Sequence, residues 1–161
     1  MTITLAHSQA DREDVLGLFL DVIPGIAPNA VPMPDSDHLF RPLIAQARDF
    51  AGTLIGAALS CTPLQVAGVS MLPESMRPRG IEKIAHQTSE LDLLVVHPDH
   101  RDQGLGNQII QFLEPLLAAQ GVRSWFGNVS RDLDVDRLRR FYGGMGFNVL
   151  APGQKLPPFG P

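Results

Sequence analysis

Apolar and polar positions alternate over TITLA (2–6), a short β-branched run that predicts a strand. The rhythm then changes. In SQADREDVLGLFLDVI, Val15, Leu18, Phe19 and Val22 recur at helical spacing, with Ser8 as N-cap and Asp11 three residues on, until Pro24-Gly25 stops the helix. Prolines are too dense in PGIAPNAVPMPDSDHLFRP (24–42) for a long helix, which predicts an ordered loop with one short helical turn. LIAQARDFAGTLIGAALSCT (43–62) reads as a hairpin turning near Asp49 to Gly52. The stretch 63–87 is long for a hairpin connection and rich in Pro, Gly and Met. Two readings stay open there, a mobile flap or a small decoration packing its own apolar residues.

SELDLLVVHP is polar and alternating at its start and wholly apolar at its end, as a central strand is. After RDQGLG, a helix carries Leu105, Ile109, Phe112, Leu113, Leu116 and Leu117 on one broad face, with Gly121 placed as C′ residue and a kink expected near Gln111 because Pro115 lies inside it. VRSWFGNVS reads as another strand and DVDRLRRFYGGMG as a helix with Leu138, Phe141 and Met145 inward. FNVL reads as a short last strand before the Pro-rich tail APGQKLPPFGP. No internal repeat breaks the pattern, and the expectation is a single domain over 1–161.

Composition narrows the setting. With 161 residues, 44% hydrophobic and 19% charged, the chain can bury a core without staples. Cys61 is the lone cysteine and forms no internal disulfide, while MTITLAHSQADRED meets acid and arginine too early for a signal peptide, so a reducing cytoplasm is expected. No apolar run approaches the roughly 18 residues of a membrane span, and a formal net charge of -4 argues against non-specific nucleic-acid binding. The expectation is a soluble partner, with no membrane and no nucleic acid.

The chemistry gathers in HPDHRDQGLGNQI (97–109). A strand entering this loop and a helix leaving it put free backbone N–H groups from Gln103 to Asn107 at the positive end of a helix dipole, an anion site. Gly104 and Gly106 admit a ligand where a Cβ would collide, and Arg101 adds a permanent charge, so a phosphate or pyrophosphate is the natural guest. The P-loop fails here because Asn107-Gln108 replace its Lys-Ser/Thr, and the dinucleotide fingerprint fails because Ile109 stands where its third glycine is needed.

The arrangement R-x-x-G-x-G, entered through VHP and left into an amphipathic helix, resembles the acyl-CoA pyrophosphate loop of the GNAT family, the GCN5-related N-acetyltransferases. LDLLVVHPDHRDQGLG resembles that family's central strand and loop. About 40 residues later LRRFYGGMGF resembles its closing helix, and the element order matches over nearly the whole chain. The resemblance implies an α/β GNAT fold, a mixed central sheet with antiparallel N-terminal strands and flanking helices. It further implies acetyl-CoA as cosubstrate, its pantetheine arm paired with main-chain groups at Leu94, Val95 and Val96. Its pyrophosphate would be wrapped by Arg101, Asp102, Gln103, Gly104, Leu105, Gly106 and Asn107, and its thioester would sit where the central strand splays from the strand containing SWFGNV.

Moving an acetyl group to an amine needs two proton transfers. A lysine-like amine, with a pKa near 10.4, is neutral in about one molecule in 2,500 at pH 7, so a general base helps. On the resemblance Glu90 is that base, acting through a water, with Asp92 two residues on as the alternative; Tyr142, the one tyrosine, stands where the family's general acid stands. The plain readings are a solvated or salt-bridged Glu90 and a packing aromatic at Tyr142. His97, Asp99 and His100 are metal-ligand types in a tight turn with no cluster to complete a site, so no metal is expected. Arg77, Arg79, Lys83 and His86 are diluted by Glu74 and Glu82 and read as a solvated surface, as does RDLDVDRLRR.

Two departures from the family pattern stand out. Val135 replaces an asparagine that many members carry seven residues before the tyrosine, and the tail, eleven residues with four prolines, leaves little for a last strand. The exposed sheet edge is therefore expected to be covered by the tail or by a second copy of the chain as a homodimer. The acceptor is an amine, of a small molecule or a protein, with paired acids favouring a cationic one. A competing reading is a CoA-binding sensor or scaffold without turnover.

Overall fold

Ser8 closes the first turn of α1 (Gln9–Val22) as its spacing predicts, its hydroxyl accepting from the Asp11 N–H. The structure is a computed structural model and describes residues 1–129 and 134–155. These fall into two compact units, Met1–Trp125 and the part from Phe126 onward.

In the first unit, β1 (Thr2–Leu5), β2 (Leu43–Arg48), β3 (Leu54–Cys61), β4 (Thr88–Val96) and β5 (Ser124–Gly127, of which Ser124 and Trp125 belong here) follow one another across a five-stranded sheet in chain order. The first four pair antiparallel. β4 and β5 are linked through a helix, the connection a parallel pair requires, so the sheet is mixed. The β2–β3 turn is fixed by the Asp49 carboxylate, which accepts from the N–H groups of Ala51 and Thr53, and by Gly52 at positive φ.

The two faces carry different layers. Ala57, Leu59, Cys61 and Val95 pack with Val15, Leu18 and Phe19 of α1 and with Val31 of the 24–42 loop. The opposite face takes α5 (Leu105–Ala119), which comes so close that a Cβ on Gly56 would lie 3.0 Å from Ile109 Cδ1. Leu105, Ile109, Leu113 and Leu117 are buried as their spacing predicts, joined by Ile110, while Phe112 and Leu116 are half-buried. α5 continues through Pro115 as one element; Pro115 and Gln111 are both exposed, so the carbonyl deprived of an N–H partner is open to solvent. Gly121, at φ +86, ends the helix in a Schellman turn, with Val122 N–H on Leu117 O and Gly121 N–H on Ala118 O.

The loop 24–42 carries a 3₁₀ turn at Pro34–Ser36 and a one-turn α2 (Asp37–Phe40). The 63–87 stretch forms α3 (Leu64–Ser70), a 3₁₀ turn at Glu74–Met76 and α4 (Ile81–Gln87), a helical decoration. Its own packing is partial. Ala67 and Ile81 are buried while Leu64, Met71 and Met76 stay exposed.

The second unit holds α6 (Val135–Gly144), capped by the Asp134 carboxylate on the Arg137 N–H. Leu138, Phe141 and Met145 are half-buried rather than core. The expected last strand is a correction: 147–150 has no strand pairing, and a four-residue run without a partner ladder does not hold as one. The tail from 156 on, Ser130 and residues 131–133 of the charged run lie outside the described residues.

Candidate active site

β4 carries the site through an irregularity that its letters do not announce. Leu93 is opposite Leu59 and Leu91 opposite Ser60, so Asp92 is left over as a bulged residue. Beyond it the register resumes with Cys61 opposite Glu90. The carboxylates of Glu90 and Asp92 both act on the Cys61 thiol, which burial first and these charges second push up to about 12. Glu90, opposite Cys61, shares its side of the sheet, whereas the bulge at Asp92 breaks the alternation by which the two acids were expected to share a face. Glu90 is half-buried, and Asp92, though open to solvent at one side, has enough protein around it that burial raises its carboxyl above the usual range.

Behind them runs a buried polar chain. Ser60 and Ser89 hydroxyls are 2.7 Å apart, Ser60 Oγ lies 3.1 Å from the Glu90 carbonyl, and Ser89 Oγ 3.3 Å from the Cys61 carbonyl. The Trp125 indole N–H donates to Ser60 Oγ at 2.9 Å. Sequence reasoning missed this chain, because isolated serines in an apolar hairpin carry no spacing signal.

At the other end of β4 the main chain sorts its own partners. His97 N–H donates to Ile55 O, and the antiparallel alternation then assigns the polar groups of Val95 to β3 while those of Leu94 and Val96 point away from it. Arg101 Nε donates to the Val96 carbonyl, which holds the guanidinium at the strand end. The loop turns through Asp102 at φ +59 and Gly104 at φ +76, and the first helical bond of α5 is Gln108 N–H to Gly104 O. The N–H groups of Leu105, Gly106 and Asn107 therefore have no helical acceptor, at the positive end of a 15-residue helix. Around Gly104 a Cβ would meet no atom within 4 Å, so the mouth is open to a ligand. Arg101, Asp102, Gln103, Gly104 and Asn107 are exposed while Leu105 and Gly106 are buried.

Tyr142 belongs to the second unit, and the letters YGGMGF have a local reason. Gly146, at φ +92, turns the chain so that Phe147 N–H reaches Tyr142 O and Gly146 N–H reaches Gly143 O, a Schellman turn whose apolar contact is the Phe147 ring edge-on to Tyr142 at 5.7 Å. Phe141 flanks it at 5.0 Å. Burial pushes the phenol above its usual value, which favours the protonated form. Among the described residues no three His, Cys, Asp or Glu side chains gather closely enough to hold a metal ion, and no helix is long and apolar enough to cross a membrane.

The sheet, its bulge and the loop before α5 define a mixed α/β domain. The model of the acetyltransferase (GNAT) domain matches residues 65–149, more than half of the chain, and the protein belongs to that family. Solved structures share the fold over nearly full length. A ribosomal-protein-alanine N-acetyltransferase from Brucella melitensis biovar Abortus 2308 is 19% identical with TM-score 0.61, covering 97% of this chain and 97% of its own. The aminoglycoside 6'-N-acetyltransferase AAC(6')-Ih from Acinetobacter baumannii is 13% identical with TM-score 0.62, covering 99% and 97%. AAC(6')-Iy in complex with a CoA bisubstrate analogue is 16% identical with TM-score 0.61, covering 96% and 98%. A search of curated proteins found no match.

Proposed function

We propose that the chain is a single-domain, cytoplasmic N-acetyltransferase that moves an acetyl group from acetyl-CoA to an amine by direct transfer in a ternary complex. The observation that carries this reading is the open cradle of N–H groups from Leu105 to Asn107, set past the end of β4 and beside Arg101. The pyrophosphate would rest there, on Asp102 to Asn107. The pantetheine arm would run back along β4 as an added strand, using the outward polar groups of Leu94 and Val96, while Val95 holds the register against β3. The complex of AAC(6')-Iy with a CoA bisubstrate analogue supports a CoA derivative as the ligand class.

The thioester would lie at the bulged Asp92, where regular pairing of β4 breaks. Glu90, through a water, would take the proton of the incoming ammonium; deprotonation costs about 4 to 5 kcal/mol at pH 7 for a lysine-like amine. The neutral amine would attack the thioester carbonyl, and the C–S bond would break as the tetrahedral intermediate expels the CoA thiolate. Tyr142 would supply the proton that thiolate takes up, and the excess proton on the former amine nitrogen would leave through water, from which the phenol is restored. Burial keeps the phenol protonated, so it has the proton to give, and the same burial makes it a weaker acid than a free phenol. Glu90 and Asp92 together favour a cationic acceptor, such as a small amine or a protein amine.

Calorimetric titration with acetyl-CoA and CoA tests the reading. Saturable binding by the wild type, and at least about a hundredfold loss in Gly104→Glu, is expected; no binding by the folded wild type would overturn it. Glu90→Gln should then keep cofactor affinity and lower kcat about 100-fold or more. Full occupancy with no thiol release across an amine panel would favour the silent CoA sensor, a reading that Val135 at the family's asparagine position also supports.

A further inference from the structure

One side chain crosses the sheet. Ser60 lies on β3 and Trp125 on β5, with β4 between them, so two strand spacings of about 4.8 Å separate their backbones. The indole N–H nevertheless reaches Ser60 Oγ at 2.9 Å. The ring therefore lies over β4, on the face that carries Gly56 and α5.

Its level along β4 follows from the register. Ser60 is opposite Leu91, so the crossing point is one residue on the N-terminal side of the bulged Asp92. The position is anchored. Ser60 is fully buried and Ser89 nearly so, and the Ser60 proton is engaged by Ser89 Oγ or the Glu90 carbonyl, which leaves its oxygen to accept the indole N–H. Displacing the ring would break the indole N–H bond to a buried acceptor, which favours this pose of the side chain.

Resting on the acyltransferase reading above, we infer that Trp125 is the wall that limits the length of the acyl group. A CoA thioester whose pyrophosphate sits on residues 101–107 must extend along β4 from Val96 toward Leu91. Its acyl carbon at Asp92 has one residue rise, about 3.3 Å, before the level of the indole. An acetyl group fits in that space, and a chain of four or six carbons collides with the ring.

The test is a chain-length series on the purified protein, with acetyl-, butyryl- and hexanoyl-CoA titrated calorimetrically. In the wild type hexanoyl-CoA binds at least about tenfold more weakly than acetyl-CoA; equal affinities overturn the inference without any variant being made. In Trp125→Ala the ratio of hexanoyl to acetyl affinity rises at least about tenfold, and an unchanged ratio overturns the inference. Trp125→Phe keeps most of the ring but loses the N–H, so its ratio lies between the two, and it serves in place of the alanine variant should that one not fold. Failure of the folded wild type to bind any thioester removes the underlying reading, a result distinct from binding without length preference.

Discussion

The limb formed by β4, its loop and α5 differs sharply from the wall formed by the 24–42 loop and the 63–87 decoration. The limb is specified by backbone: alternation along β4, positive φ at Asp102 and Gly104, and a helix whose apolar face is buried against the sheet. The wall is specified by single side chains. Arg12 of α1 is buried and pins the wall's 24–42 part, donating to the Ala6 and Pro32 carbonyls and gripping Asp37 with both terminal nitrogens. Thr62 N–H holds Phe40 O, and Arg41 reaches the Ala85 carbonyl to join the loop to α4. A backbone-built element tolerates changes of side chain, whereas a wall pinned by one guanidinium does not.

Three substitutions break or sharpen that contrast. Arg12→Leu leaves two carbonyls and the Asp37 carboxylate without their donor, and it should cost about 3 kcal/mol, discounted because Asp37 is partly solvated. Thermal melting should then fall by about 10 °C, and a drop under about 3 °C would show that the wall is held otherwise. Gly56→Ala drives a methyl against Ile109 Cδ1 and should cost about 1 to 3 kcal/mol by denaturant titration; no change would mean that α5 can retreat freely. Asp92→Asn should have the smallest effect. An acid whose pKa is raised by burial costs stability only when ionised, so the cost is absent below its unfolded value and appears as pH rises through the folded one. The variant should melt slightly higher than wild type at pH 7 and level with it at pH 3, and the reverse order would place the carboxylate in a stabilising contact.

The same contrast governs what could be read from the letters. Ser8 with Asp11, the Asp49–Gly52 turn, the apolar end of β4 and the R-x-x-G-x-G loop each carry a local backbone requirement, and each takes the form that its residues predict. Arg12 interrupts an apolar pattern with a charge, which masks its burial. Its spacing, three before Val15 and seven before Phe19, puts it on the inner face, and that was the available signal. The bulge at Asp92 has no glycine or proline to mark it, since it arises from the pairing of β3 with β4 rather than from either strand alone. In the 63–87 stretch, Pro63 and Pro73 precede short helices and Gly80 starts α4 at positive φ. Punctuation so frequent says where segments break and nothing of how they dock. FNVL met every local criterion of a strand and lacked a partner.

Gly56 leaves a mark that would be visible across related sequences. The room between the sheet and α5 at that point is shared by one backbone and two side-chain ends, Leu105 Cδ2 and Ile109 Cδ1. The positions 56, 105 and 109 are therefore expected to drift as a set during descent. A lineage that acquires alanine at 56 should carry valine or alanine at 109, and one that keeps isoleucine there should keep its glycine.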